Sequence, residues 1–336
     1  MVFYQWVNHA ADAVGKIPLI IGMDETSLAY AFGRQAGTVI LKAALPHGCK
    51  RQREQVSTQD LRGHVTYIAF MTAHAAIQAI LPQIVIGNEH KFTKRMMQAA
   101  SKLGAGLVTF WREKSAWNSQ KLMCKVLSLL AKALLPWAAT HQPVLVLDVA
   151  RSHISAVIWA LAKRLGIRLV YIPARLTWLL QPADTHLFFK FKSALRKLWL
   201  DAAIADEAGV VSDEEWLRII VTAIRNILVG SLWDAAFRSN GVVPQQIGIS
   251  SRVLSCLNWD AVPLLPAGAP TLQQLRLVFP RRMRLRSASV VDYSKPLKLK
   301  PIAGAASSKS GASVPSSSSG DGPPSTRTRS RTKAPP

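Results

Sequence analysis

The chain has 336 residues, enough for one large domain or two modest ones, and 49% of them are hydrophobic, ample for a real core. Its 42 Lys and Arg against 19 Asp and Glu leave a formal net charge of +23, which suits a polyanion: nucleic acid first, with an anionic membrane surface as the rival. The longest apolar stretch, 122–139, carries Lys125, Lys132 and Pro136 and so excludes a membrane span there, and the N-terminus lacks the basic head and apolar core of a secretory signal.

In chain order, residues 3–14 read as a short helix and 18–24 as a buried strand, a continuous apolar run that ends in Asp24. Strands are expected at 27–32, 37–42, 64–71 and 83–87, with a basic loop at Lys50, Arg51 and Arg53. A helix follows over 91–103, then an edge strand at 106–111. Residues 118–137 form a helix, because Leu122, Val126, Leu129, Leu130, Ala133 and Leu134 recur at three-and-four spacing until Pro136. A strand–helix–strand unit follows: 143–148, 154–165 with Gly166 as its stop, and 167–172, the signature of a parallel pair. Helices are predicted over 184–200, 212–229 and 231–239.

Beyond residue 260 the texture changes. Pro263, Pro266, Gly268 and Pro270 mark a linker, so 241–280 reads as a linker and peripheral segment. From 281 to 336 twelve Lys and Arg face two Asp, a net of +10 by subtraction, and Ser, Gly, Pro and Ala dominate the end; this basic tail is expected to be disordered. Arg281, Arg282, Arg284 and Arg286 fit either a nuclear import signal or a DNA-gripping arm, a pattern that short basic runs often meet. Three scattered cysteines, Cys49, Cys124 and Cys256, fit a reducing compartment and neither a disulfide frame nor a zinc site. Gly104-Ala105-Gly106 lacks the helix and Lys of a phosphate-cradling loop, so no nucleotide cofactor is expected, and no Ser/His/Asp elbow is present.

Carboxylates are scarce in so basic a chain, and three stand out: Asp24, Asp148 and Asp184. Two parallel neighbouring strands ending in Asp24 and Asp148 would set both acids at one sheet edge, where sites of open α/β sheets are built. Asp184 opens a helix that would pack back beside them. Together the three would make a hard oxygen site for Mg²⁺. Taken alone, Asp148 reads equally well as a turn cap and Asp184 as a helix N-cap.

These residues carry a resemblance. Gly22-Met23-Asp24-Glu25-Thr26, Val146-Leu147-Asp148-Val149-Ala150-Arg151-Ser152-His153 and Leu179-Leu180-Gln181-Pro182-Ala183-Asp184 resemble, in order, the motifs of the DDE-type transposase catalytic domain, in the pogo/jerky-like branch of the mariner superfamily. Those motifs read Met-Asp-Glu-Thr, Leu-Asp-Asn-Ala-Pro-Ser-His and Leu-Leu-Gln-Pro-Leu-Asp. Thirty-five residues (149–183) separate the last two acids, a spacing within the family's narrow range. The resemblance covers roughly 5–240. It implies an α/β, RNase H-like fold: a five-stranded mixed sheet flanked by helices, with C-terminal helices and the basic tail behind it. It implies an N-terminal remnant over 1–16, a catalytic core over 17–240, and two Mg²⁺ or Mn²⁺ ions. Asp24 on the first strand would bridge both metals, Asp148 on the fourth strand would bind one, and Asp184 at the start of the final helix would complete the other. The implied chemistry is metal-dependent cleavage and joining of DNA phosphodiesters. Val149 stands where the family has Asn and Arg151 where it has Pro. Family members carry helix-turn-helix domains before the core, and about twenty residues stand there here, so the end-reading module is expected to be absent.

Other candidates keep two readings. Glu25, pointing away from Asp24 on a strand, is a supporting or structural acid. His153 either hydrogen-bonds a metal-bound carboxylate or caps a turn, and His186 is a surface or supporting group. Lys190, Lys192, Arg196 and Lys197 are the wet face of a helix or a phosphate grip. Arg175 and Trp178 lie on the loop before Asp184, where Trp178 either stacks on an unpaired base or packs in the core. The expected function is a transposase-derived DNA endonuclease acting in the nucleus, with a homodimer open to it. The alternatives are a domesticated, catalytically weak or inactive DNA- and chromatin-binding protein, and an RNA-processing nuclease of the same fold.

Overall fold

The pattern of apolar runs becomes one six-stranded sheet in the order β4-β3-β2-β1-β5-β6. The computed structural model describes residues 1–12, 15–28, 65–90, 92–104, 106–114, 116, 118–206, 211–229 and 232–279. The strands are β1 Ile17–Leu28, β2 Val65–Thr72, β3 Gln83–Asn88, β4 Val108–Glu113, β5 His141–Leu147 and β6 Arg168–Tyr171. β1, β2 and β3 pair antiparallel as a meander, and β5 and β6 run parallel to β1. This is the mixed sheet of an RNase H-like core, to which β4 adds a sixth, edge strand parallel to β3. The implied count of five is therefore corrected to six, and the strand read at 106–111 is the addition.

Both faces of the sheet are covered, which is why its central strands read as unbroken apolar runs rather than alternations: all eight residues of β2 are buried. The covering helices are α1 Val2–Ala11, α2 Lys94–Leu103, α3 Gln120–Ala133, α4 Ala156–Arg164, α5 Phe188–Ala205, α6 Asp213–Ile224 and α7 Leu272–Val278. Five of these seven starts carry hydroxyl caps: Thr93, Ser119, Ser155, Ser212 and Thr271 each accept a first-turn N–H. Those caps place the helices one to three residues inside the expected 91–103, 118–137, 154–165 and 212–229. α3 buries Leu122, Met123, Val126, Leu127 and Leu130, each worth about 1.5–3 kcal/mol of transfer free energy. Among the described residues no helix is long and apolar enough to cross a membrane.

Four expectations are corrected here. β1 does not end at Asp24; it continues to Leu28, where it pairs with β2 alone. Asp148 follows the fifth strand rather than ending the fourth, and α5 is not the final helix. Residues 241–279 are not a linker: Val242, Val253, Leu275, Val278 and Phe279 are buried in the common core, and α7 packs on α1. The described residues all fall in one compact unit. The strand at 37–42, most of that at 27–32, the basic loop, Cys49 and the tail with Arg281, Arg282, Arg284 and Arg286 lie outside the described residues.

The edge of the sheet is closely packed at Gly87 on β3. A Cβ added there would meet the ring carbon Cγ of Phe92 at 2.3 Å. Arg112 holds the Phe92 turn in place by donating to the carbonyls of Phe92 and Glu89 at 2.7 and 2.6 Å. Gly87→Ala is therefore expected to destabilise the protein by about 1–3 kcal/mol, seen as a lower urea midpoint at unchanged slope.

Candidate active site

β1 and β5 pair in parallel with Ile17 opposite His141 and Gly22 opposite Val146. Two residues further on, the same register sets Asp24 level with Asp148. Asp24 lies within its strand and is 9% exposed, and Asp148 stands just past the end of β5, half-buried. Asp184 comes from a third element, the π-turn Ala183–Leu187 that leads into α5, and is exposed. Buried Gln181 hooks this turn to the sheet, donating from Nε2 to the Met23 carbonyl at 3.2 Å, one residue from Asp24. The Thr177 side chain favours the charged form of Asp184.

The electrostatics bind the three acids into one neighbourhood. Burial pushes the Asp24 carboxyl well above its ordinary range; the charge of Asp184 adds to this, the N–H of Glu25 donating at 2.7 Å opposes it, and Asp148 and Glu25 raise it further. Partial withdrawal from water raises Asp184, helped by the charge of Asp148 and opposed by Thr177 and Lys192. Asp148 ends below its ordinary value: burial would raise it, but hydrogen bonds and charge from His153 win. Among the described residues no three His, Cys, Asp or Glu side chains stand in a metal-holding arrangement. Asp148 is instead engaged by the imidazole of His153 and the Ala150 N–H.

His153 is the centre of this arrangement. It is 2% exposed, with Nδ1 2.6 Å from Asp148 Oδ1 and Nε2 2.9 Å from Glu25 Oε1. Asn118 donates to the same Glu25 oxygen at 2.6 Å. Tyr171 on β6 anchors the turn by donating to the His153 carbonyl at 2.8 Å, and Trp159 donates to the Tyr171 hydroxyl at 2.6 Å. Glu25 thus reaches Asp148 through His153. Asn118, Gln181 and Thr177 were not singled out in the sequence; Gln181 lies inside a quoted motif and Thr177 two residues before it, whereas Asn118 leaves no local signal.

The basic candidates divide. Lys192 is the one whose charge acts on Asp184. Lys190 lies over the Trp233 ring at 5.8 Å and its charge, with that of Arg252, helps burial lower His186. His186 contacts Thr185 Oγ1 at 2.7 Å and Ser239 Oγ at 3.2 Å. Arg196 and Lys197 are exposed further along α5. Arg175 and Trp178 are also exposed, so Trp178 does not pack in the core.

Burial alone would lower the His153 imidazole; its hydrogen bonds to Asp148 and Glu25, and their charges, lift it to about 10 from 6.5. A raised folded-state value means that the stabilisation is complete below about pH 6.5, declines as pH rises, and is gone beyond about pH 10. In chelator, the urea midpoint of the wild type is expected to fall from about pH 6.5 to about pH 9.5, and His153→Gln is expected to flatten that slope.

The family model described as DDE superfamily endonuclease matches residues 65–237, just over half of the chain, including Asp148 and Asp184 but not Asp24. The chain is 25% identical over 244 residues to the MFS-type transporter clz9 of Cochliobolus lunatus, covering 72% of this chain and 26% of that one; it spans about a quarter of that curated relative. Among solved structures, the Mos1 transposase paired-end complex with left transposon end gives 14% identity over 72% of this chain and 62% of that one, with a TM-score of 0.34. The catalytic domain of Mos1 mariner transposase gives 13% identity over 71% and 93%, with a TM-score of 0.33. By its sequence match over 65–237, this chain belongs to the DDE superfamily endonuclease family.

Proposed function

We propose that the chain is a transposase-type DNA endonuclease that uses Mg²⁺ or Mn²⁺ to cleave and join DNA phosphodiesters, with Asp24, Asp148 and Asp184 as the metal-holding acids. The observation that carries this reading is the convergence of negative charge on buried Asp24, which feels Asp184 and Asp148 from two other elements. A buried carboxyl among carboxylates is poorly ionised alone, and divalent cations with hard oxygen ligands relieve that repulsion. Carboxylate oxygens are the hard donors that such ions take, and Asp24, Asp148 and Asp184 are the groups that would hold them. When bound, such ions polarise a phosphoryl oxygen and activate the attacking hydroxyl.

The chain's own residues do the positioning. Asn118 holds Glu25, Glu25 and Asp148 hold His153, and Gln181 ties the Asp184 turn to the strand carrying Asp24. Lys190, Lys192, Arg196 and Lys197 line the exposed side of α5, where they would grip DNA phosphates. The net charge of +23 supports a nucleic-acid partner. Nuclear action and a homodimer belong to the same reading.

A second reading rests on a specific observation. Asp148 is taken up by His153 and Ala150, and Val149 stands beside it where the family has Asn. A DNA- and chromatin-binding protein with little or no cutting activity is consistent with that. A plasmid-nicking assay separates the two. The wild type is expected to nick supercoiled DNA only with Mg²⁺ or Mn²⁺, and Asp148→Ala to lower the rate by at least about a hundredfold. Binding without cutting, or equal nicking by the variant, removes the enzyme reading and leaves the binding one.

A further inference from the structure

Trp178 occupies the short helix Thr177–Leu180, between β6 and the Asp184 turn. Leu179 and Leu180 of this turn enter the core, which leaves the Trp178 ring outside and 53% exposed. A single exposed aromatic needs no explanation by itself, but this one is held in a fixed attitude. Its indole N–H donates to the Arg175 carbonyl at 2.9 Å, and Arg175 adopts a left-handed φ of 69°. The Arg252 guanidinium lies 5.7 Å from the ring centroid, and its Nη2 reaches the Trp178 carbonyl at 3.5 Å. Arg252 comes from a separate segment, the helix Ser251–Cys256, and is itself exposed. Three residues beyond Trp178, Gln181 donates to the Met23 carbonyl at 3.2 Å, which ties the Trp178 segment to the strand that carries Asp24.

We propose that Trp178 and Arg252 form a stacking platform for one unpaired DNA base flanking the phosphate held at the acids, a role that rests on the DNA-endonuclease reading. A base within a duplex has both faces covered by its stacked neighbours, so only an end, frayed or flipped base offers a face to an aromatic ring. Tying the indole N–H to a backbone carbonyl removes the ring's own hydrogen-bonding demand and limits its rotation, so little rotamer freedom is lost on stacking. Arg252 supports one side of the ring by cation–π attraction and places a positive charge beside the strand. Every base has a π-face, so this platform selects unpaired over paired DNA and does not select a sequence.

The test measures binding of the full chain, with Ca²⁺ in place of Mg²⁺, to a blunt duplex and to the same duplex with an unpaired end carrying 2-aminopurine. The wild type is expected to favour the unpaired end and to quench its fluorescence. Trp178→Leu keeps apolar volume without a ring; it is expected to lose affinity for the unpaired end by roughly five- to a hundredfold, lose the quenching, and keep its blunt-duplex affinity. Trp178→Phe is expected to stay near the wild type, and Arg252→Ala to lose about two- to fivefold on the unpaired end. If Trp178→Leu keeps both the preference and the quenching while both duplexes bind, the platform is overturned and the DNA reading stands. If the wild type binds neither duplex, the DNA reading falls and the platform with it.

Discussion

The parallel register of β1 on β5 is the constraint from which the site follows. With Gly22 opposite Val146, Asp24 and Asp148 come level, one inside its strand and one just past the end of its own. A slip of one residue would turn one of the acids to the other face of the sheet. Packing on both faces opposes such a slip, since Ile21, Met23, Leu145 and Leu147 are buried on one face and Val144 and Val146 on the other. Packing of apolar side chains thus fixes the positions of charged ones.

That placement brings an electrostatic conflict, and the molecule handles the two acids differently. Asp148 receives a buried imidazole and a backbone N–H, which favour its charge. Among the described residues Asp24 receives the N–H of Glu25, and burial with the carboxylates of Asp184, Asp148 and Glu25 works against its charge. No cationic side chain of the described residues offsets that charge at Asp24 as His153 does at Asp148. Asp148 and Asp184 are supported by separate residues: Asn118 and Glu25 act on the first through His153, and Gln181 ties the turn of the second to β1.

Much of this was legible in the sequence, and the gaps have physical causes. The apolar runs ending near Asp24 and Asp148 identify buried strands, and the leucine spacing of α3 identifies its helix. Pairing direction and register, by contrast, are long-range properties that no local window carries. The contact of Glu25 with His153 depends on the path of the turn after Asp148, which no local window carries either. Trp178 sits in an apolar run, Leu176–Leu180, that invites a core assignment; a helical turn cannot bury every consecutive residue, and Trp178 is one left out. The Pro and Gly residues after 260 suggested a linker, although Thr271 and Gln274 spell a capping box in front of α7.

The packing of α7 has a further consequence for how the protein is made. Trp6 on α1 lies 5.8 Å from the Tyr171 ring and 6.2 Å from that of Phe279, and Tyr171 and Phe279 are 5.4 Å apart. During synthesis α1 therefore meets the Phe279 ring only after residue 279 has been made. At about 5–20 residues per second, this layer of the core waits roughly 15–50 seconds for completion. During that interval the apolar face of α1 is a nascent-chain surface for chaperones to shield, and ribosome stalling before residue 279 would leave it unfinished.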